Sequence, residues 1–154
     1  VAKTVFGMLG NTPEADDVGQ DVFIRFYLSI DGFRGESSLG TYLTRIAINL
    51  SLNELKKRKR KSFFFFQKDD GSHMEIDVED ETRMDEEHDT NELVEKALSE
   101  LEPKFRSVII LRLIQGYSTK ETADMLDLPQ GTVLSRLARA QDKLKEVIKD
   151  LMIV

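Results

Sequence analysis

Cysteine is absent from this 154-residue chain, which excludes a disulfide framework, a zinc–thiolate site and a cysteine nucleophile. Tryptophan is absent as well, and prolines number three. No apolar run approaches the roughly 20 residues that a membrane-spanning helix needs, so membrane insertion is not expected. The start, Val1-Ala2-Lys3-Thr4-Val5-Phe6, lacks the layout of a secretory signal. Histidine is scarce: His73 and His88 stand without ligand spacing, so no metal site is expected. A Gly-rich phosphate loop, a nucleophile elbow and a paired-carboxylate constellation are all missing. These gaps point away from an enzyme or a cofactor carrier and fit a cytoplasmic protein.

Charge is present in quantity but unevenly placed. The net charge is −6, yet residues 40–61 hold seven Lys and Arg against one Glu. Residues 62–95 then hold thirteen acidic side chains against two cations. Mean acidity alone would argue against nucleic acid. A compact basic block does not, because phosphate binding follows the local density of cations.

Apolar spacing is helical wherever it is regular. Val18, Val22, Phe23, Phe26 and Tyr27 describe one stripe on an amphipathic helix over residues 14–30. Gly32, Gly35 and the Ser37-Ser38 pair then break the pattern as a loop would. Leu39, Leu43, Ile46, Ala47, Leu50 and Leu55 form a second stripe, and that helix ends in cations, which its dipole favours. From about Ser62 to Thr90 the periodicity is lost. Phe63 to Phe66 is an apolar knot expected to pack on a domain or in a partner's groove. The acidic run after it cannot bury enough surface to offset its ordering entropy. Leu93, Ala97, Leu98 and Leu101 resume helical spacing before Pro103, and Phe105 to Ile114 continue it up to Gly116. The expectation is an all-α chain of two small helical domains, 1–61 and 93–154, joined by a flexible acidic linker over 62–92.

The C-terminal block contains a helix-turn-helix. Ser118-Thr119-Lys120-Glu121 is a capping box, in which a hydroxyl and a carboxylate each take an orphan backbone N–H. Ala123 is small where two crossing helices must approach closely. Asp127 and Leu128 make the turn, and Pro129 suits a first helical position. Val133, Leu137, Ala140 and Leu144 then lie on the buried stripe of the next helix. Its opposite face displays Thr132, Ser135, Arg136 and Arg139, side chains suited to phosphates and base edges in a major groove.

In two blocks the sequence resembles bacterial sigma factors of the extracytoplasmic-function class, in the sigma-70 superfamily. Gly116 to Ser118 and Gly131 to Ala140 resemble their C-terminal domain (region 4), and Leu98-Ser99-Glu100-Leu101-Glu102-Pro103 resembles its entry. Asp17 to Phe23 resembles their polymerase-binding helix in region 2. Phe33 to Ser38 and Tyr42 to Asn49 resemble the segment that opens the promoter. The resemblance implies a non-catalytic protein without cofactors that binds core RNA polymerase and promoter DNA, commonly under the control of an anti-sigma factor. It implies polymerase contacts at Asp17, Gln20, Asp21 and Phe23. Contacts to the −10 element and the DNA backbone are implied at Arg34, Ser37, Ser38, Tyr42, Arg45, Asn49, Lys56, Lys57 and Arg58. Thr132, Leu134, Ser135, Arg136 and Arg139 would meet the −35 element.

Departures from the family pattern sharpen these expectations. Members usually carry one more helix ahead of the position of Val1, so the first domain is expected to lack a packing partner. Leu134 stands where the family is often basic, Gln141 replaces a frequent cation, Ala138 is smaller than usual, and Tyr42 replaces a usual Trp. The recognition helix should therefore be a modest reader alone. The rival reading is a stand-alone regulator that binds a duplex operator through the same helix-turn-helix.

Overall fold

A computed structural model describes residues 1–68 and 86–153, and among these every regular element is helical. The first helix, α1 (Ala2–Leu9), lies ahead of the stripe at which the periodicity was read. It buries Thr4, Val5, Met8 and Leu9 on one face and ends at Gly10, whose positive φ of 74° lets its N–H return to the Phe6 carbonyl. This helix packs on α2 and α3 within the N-terminal domain.

Helix α2 (Pro13–Ser29) begins where Thr12 Oγ1 accepts from the Ala15 N–H at 3.3 Å, with Pro13 in the first turn. Its buried face is Ala15, Val18 and Val22. Phe23 and Tyr27, read as part of the inward stripe, instead point to solvent. Spacing of four and five residues marks a face without saying what covers it.

Helix α3 (Leu39–Lys68) is longer than expected. The Ser38 hydroxyl accepts from the Thr41 N–H at 3.1 Å and starts it. Neither Gly nor Pro interrupts residues 41–68, and the cationic run is made of good helix formers. The helix therefore carries through Phe63 to Phe66 and past the expected domain boundary. At the other side of the acidic stretch, α4 (Glu86–Glu100) begins ahead of the expected boundary. The expected linker of 62–92 is thus helical at both ends, and its centre, 69–85, lies outside the described residues.

Helix α5 (Pro103–Ile109) widens into one π turn over Ile110–Ile114, where the Gln115 N–H reaches the Ile110 carbonyl at 2.9 Å. Gly116, with φ of 75°, stops it. Helix α6 (Thr119–Leu126) opens with the capping box as read: Ser118 Oγ accepts from the Glu121 N–H at 3.0 Å, and Glu121 Oε1 accepts from the Ser118 N–H at 3.1 Å. Helix α7 (Gln130–Ile153) completes the chain described.

The two halves do not stand apart. One buried apolar cluster joins Val5, Met8 and Leu9 of α1 and Ile48 of α3 to Leu98, Leu101, Ile110, Leu111 and Met125 of the C-terminal half. At its edge lies Arg106, which is only 8% exposed. Its guanidinium donates to the Met8 carbonyl, to the Ser99 carbonyl at 3.0 Å and to the Leu101 carbonyl at 2.8 Å. Those carbonyls lie at or just beyond the C-terminal ends of α1 and α4, where helix dipoles favour a cation. Burial holds the Arg106 pKa below the usual arginine value, and the nearby charge of Arg58 adds to this. Arg58 itself donates to the Leu9 carbonyl at 3.4 Å and Thr12 Oγ1 at 3.1 Å, with Glu14 at 3.8 Å.

Two stability outcomes follow. Arg106→Met keeps much of the apolar stem but leaves three carbonyls without their donor, and should cost about 2–4 kcal/mol in urea unfolding. Ser118→Ala removes one half of the capping box and should cost about 1 kcal/mol in the same measurement.

Candidate nucleic-acid interface

The turn between α6 and α7 is built from three local choices. Asp127 takes the left-handed conformation (φ 55°, ψ 51°), which Asp tolerates better than most side chains. The Leu128 N–H then returns to the Ala123 carbonyl at 2.9 Å. The Pro129 carbonyl accepts from the Val133 N–H at 3.2 Å, so Pro129 caps α7 one residue earlier than the first helical position read for it. Ala123, Val108 and Val133 form a small buried cluster on which Leu126, Leu128 and Leu137 pack. Ala123 thus permits the close crossing, and Leu128 fills the corner.

With Val133 and Ala140 fully buried, the other side of α7 faces out. Leu134, Ser135 and Arg139 are exposed, while Thr132 and Arg136 are half-buried. Ser135 Oγ donates to the Thr132 carbonyl at 3.0 Å. Leu134 is an apolar side chain, 54% exposed, in the middle of an otherwise polar face.

The loop between α2 and α3 is held by aromatic packing. The Phe33 and Tyr42 ring centroids lie 4.9 Å apart, and Phe26 approaches them edge-on at 6.5 and 6.0 Å. Tyr42 and Ser29 share a hydroxyl hydrogen bond of 3.0 Å. This trio pins both ends of the loop, and Gly35 supplies a positive φ of 69° at its tip. Arg34, Glu36, Ser37 and Ser38 are left exposed. Ser38 is shared between the loop and the start of α3, as described above. Arg45 is exposed, and Asn49 Nδ2 donates to the Arg45 carbonyl at 2.9 Å and to the Met125 carbonyl at 3.4 Å.

Arg34, Ser37, Ser38, Tyr42 and Arg45 line one wall of a groove of about 990 Å³. Glu121, Asp124, Met125 and the turn residues Asp127, Leu128 and Pro129 form the other wall. The structure therefore brings the loop face and the helix-turn-helix to opposite sides of one cleft. Within the basic block Lys56, Lys57, Lys59, Arg60 and Lys61 are exposed, whereas Arg58 is turned to the end of α1. Lys56 and Lys57 share a second cleft of about 290 Å³ with Asp21 and Arg25.

Asp17, Gln20, Asp21 and Phe23 all lie on the exposed side of α2. Four residues that sequence reasoning missed extend the same surface: Ile24, Tyr27, Leu28 and Ile30, with Tyr27 and Leu28 each 75% exposed. The signal that could have found them is their excess of apolar side chain beyond what one buried stripe needs. Phe63 to Phe66, expected to pack on a domain or in a partner's groove, are 61–85% exposed among the described residues. Among the described residues no group of His, Cys, Asp and Glu is placed to hold a metal ion, and no helix is long and apolar enough to cross a membrane.

Comparison with known proteins matches this geometry. The sigma-70 region 2 family profile matches residues 1–61, and the sigma-70 region 4 profile matches residues 97–146. The ECF RNA polymerase sigma factor SigW of Bacillus subtilis is 30% identical over 157 aligned positions, covering 98% of this chain and 84% of the relative. The RNA polymerase sigma-H factor of Pseudomonas aeruginosa is 32% identical, covering 90% of this chain and 75% of that protein. Among solved structures, the sigma factor RpoE in complex with the anti-sigma factor NepR, from Bartonella quintana, is similar with a TM-score of 0.74 and 26% identity, covering 96% of this chain and 89% of that one. These likenesses favour the sigma reading over the stand-alone regulator, since they take in both halves in order. The chain belongs to the extracytoplasmic-function group of sigma-70 family factors and directs promoter recognition for RNA polymerase.

Proposed function

We propose that this sigma factor divides its work among three exposed surfaces, each named above. The outward face of α7 reads the −35 duplex. Arg136 and Arg139 are suited to a guanine edge or phosphate, Thr132 and Ser135 to short polar contacts, and Leu134 to a thymine methyl group. The loop from Arg34 to Ser38 with Tyr42, Arg45 and Asn49 holds the −10 element as single strand, where unpaired bases need polar edges and a stacking surface. Lys56 and Lys57 meet backbone phosphates beside it, and neutralised phosphates release counterions. Arg58 adds its charge from the end of α1 and supports the same helix.

Core polymerase docks on α2 through Asp17, Gln20, Asp21 and Phe23. The single observation that supports this most is the apolar surface of Ile24, Tyr27 and Leu28 left open beside them. A patch of that kind, rimmed by carboxylates, is suited to a protein partner. Phe63 to Phe66 offer a second apolar contact for the same enzyme. The sigma factor itself supplies no catalytic group: polymerase makes the phosphodiester bond, and this chain positions the promoter. Its place is the cytoplasm, where polymerase and promoter are. The likeness to a sigma factor captured with NepR supports an anti-sigma partner for this chain as well.

Run-off transcription with core polymerase tests the assignment. Arg136→Ala should weaken promoter binding by about 1–3 kcal/mol and relax base preference within the −35 element. Leu28→Asp, at an exposed position, should lower core-polymerase affinity about tenfold or more while the melting temperature holds. Wild-type transcription from both variants would rule out these surfaces.

A further inference from the structure

The last turns of α3 stand out from the body of the molecule. Arg58 ties the helix to the end of α1 through the Leu9 carbonyl and Thr12 Oγ1. Every residue from Lys59 to Gln67 is then exposed. At about 1.5 Å per residue that is roughly 13 Å of helix open to water around its circumference. Two kinds of side chain share it. Lys59, Arg60 and Lys61, with Lys56 and Lys57 just behind them, put five exposed cations on the helix. Phe63, Phe64, Phe65 and Phe66 follow, 61, 64, 71 and 85% exposed. After Lys68 the sequence turns acidic at Asp69-Asp70, so the cationic and aromatic stretch is confined to this helix end.

The order of these residues identifies the surface they suit. Successive helix positions are about 100° apart, so four in a row sweep about 300° of the circumference. A helix bound for a protein groove carries its anchors at i, i+3, i+4 and i+7, along one side. Here no side of the turn is polar, and only surroundings that enclose it remove all four rings from water. The cations likewise succeed one another around the axis. The middle of the cationic stretch and the middle of the aromatic turn are about six residues, or roughly 9 Å, apart along the helix. That matches the roughly 5–10 Å by which apolar side chains of a surface-bound helix lie below the headgroups of a bilayer. An anionic bilayer meets both parts at once, with phosphates at the level of the cations and the acyl boundary at the rings. The DNA backbone offers the first without the second.

We propose that this end of α3 is a peripheral docking site for an anionic phospholipid surface. The aromatic turn dips into the interfacial layer, while Lys56, Lys57, Lys59, Arg60 and Lys61 lie against lipid phosphates with their stems along the boundary. Nothing spans the bilayer, and no described helix is long and apolar enough to do so. Charge draws the helix end to the surface and the rings hold it there, two signals where either alone binds weakly. The reading goes beyond the polymerase and promoter contacts proposed above and does not rest on them. It does set up a competition with them. Lys56 and Lys57 cannot hold promoter phosphates, nor the four rings polymerase, while lipid holds them. The bilayer thus keeps a reserve of the factor away from promoters.

Because the chain lacks tryptophan, Phe64→Trp supplies a single fluorescent reporter and keeps an aromatic ring in place. The full-length chain is mixed with phosphatidylcholine vesicles carrying about a third phosphatidylglycerol. Emission should shift to the blue, and lipids brominated near the headgroup should quench it more than lipids brominated near the chain end. Flotation of the wild-type chain should give an affinity on the order of 10⁴ M⁻¹ in accessible lipid, and at least about tenfold less on pure phosphatidylcholine. Phe64→Ser combined with Phe65→Ser, both at exposed positions, should lower affinity for the anionic vesicles about tenfold or more. Lys59→Glu combined with Lys61→Glu, which leaves every polymerase and promoter contact named above in place, should lower it by a similar factor. Emission unmoved by vesicles, equal binding to neutral and anionic vesicles, or wild-type binding by the double serine variant would each overturn the site. So would a blue shift that grows with protein concentration and is unaltered by vesicles, which assigns the rings to a second copy of this chain. Release from vesicles on adding core polymerase supports the site and the competition. Vesicle binding undisturbed by polymerase leaves the lipid site standing and removes the second polymerase contact proposed above.

Discussion

A buried cation without a carboxylate partner at its head group is an expensive choice, and Arg106 is one. What offsets its desolvation is a ring of backbone carbonyls from two helix ends. A guanidinium can serve three carbonyls at once because its donors are fixed in a planar fork, and an ammonium could not reproduce that spread. The consequence is spatial. The end of α1 and the end of α4 must converge on one point, which fixes where the N-terminal half lies on the C-terminal half. Ile110, Leu111 and the groove wall then follow from that convergence.

Around this anchor the sequence separates structural work from surface work. The caps at Thr12 and Ser118, the rings of Phe26 and Phe33 and the small Ala123 shape their own segments, and each decides which side chains are left facing water. Phe26, Phe33 and Tyr42 consume the apolar content of the opening segment, so that the intervening loop presents only Arg, Glu and Ser. On α7 the burial of Val133 and Ala140 fixes the rotation of the helix and hence the set of residues that face outward. On α2 the division is different. The helix buries three small or branched residues and leaves Phe23, Ile24, Tyr27 and Leu28 outside, an apolar surface suited to a partner.

The helix-turn-helix was legible residue by residue because its signals are local: a capping box, a small crossing residue, a left-handed turn position and a proline all fall within a dozen residues. The all-α class was legible for the same reason. The shared core was not. Apolar periodicity reports which face of a helix is buried and is silent about which element covers it, so a core shared between halves looks like two cores. Tyr27 shows the same limit in reverse, since a stripe bound for a partner has the spacing of a stripe bound for the interior. Helix α1 escaped because eight residues supply too few repeats of the period to stand out. The extent of α3 was misjudged through composition: an exposed run of cations and phenylalanines reads as irregular, although nothing in it breaks a helix. Of the candidate site, Ser135 and Arg139 of α7 and the loop from Arg34 to Ser38 are exposed and Thr132 and Arg136 half-buried, whereas the inward turn of Arg58 depends on Leu9 and Thr12, far away in sequence.

The π turn at Ile110–Ile114 carries a consequence of its own. A π turn holds one residue more than the α turn it replaces, and one residue corresponds to about 100° of rotation about the axis. Everything after it is therefore dialled round relative to α5, while the helix axis continues without a break. The turn acts as a phase-setter, fixing the bearing on which the capping box and the recognition helix leave the shared core. In such an architecture a one-residue deletion would leave every side chain of the reader intact and still aim it at the wrong side of the molecule.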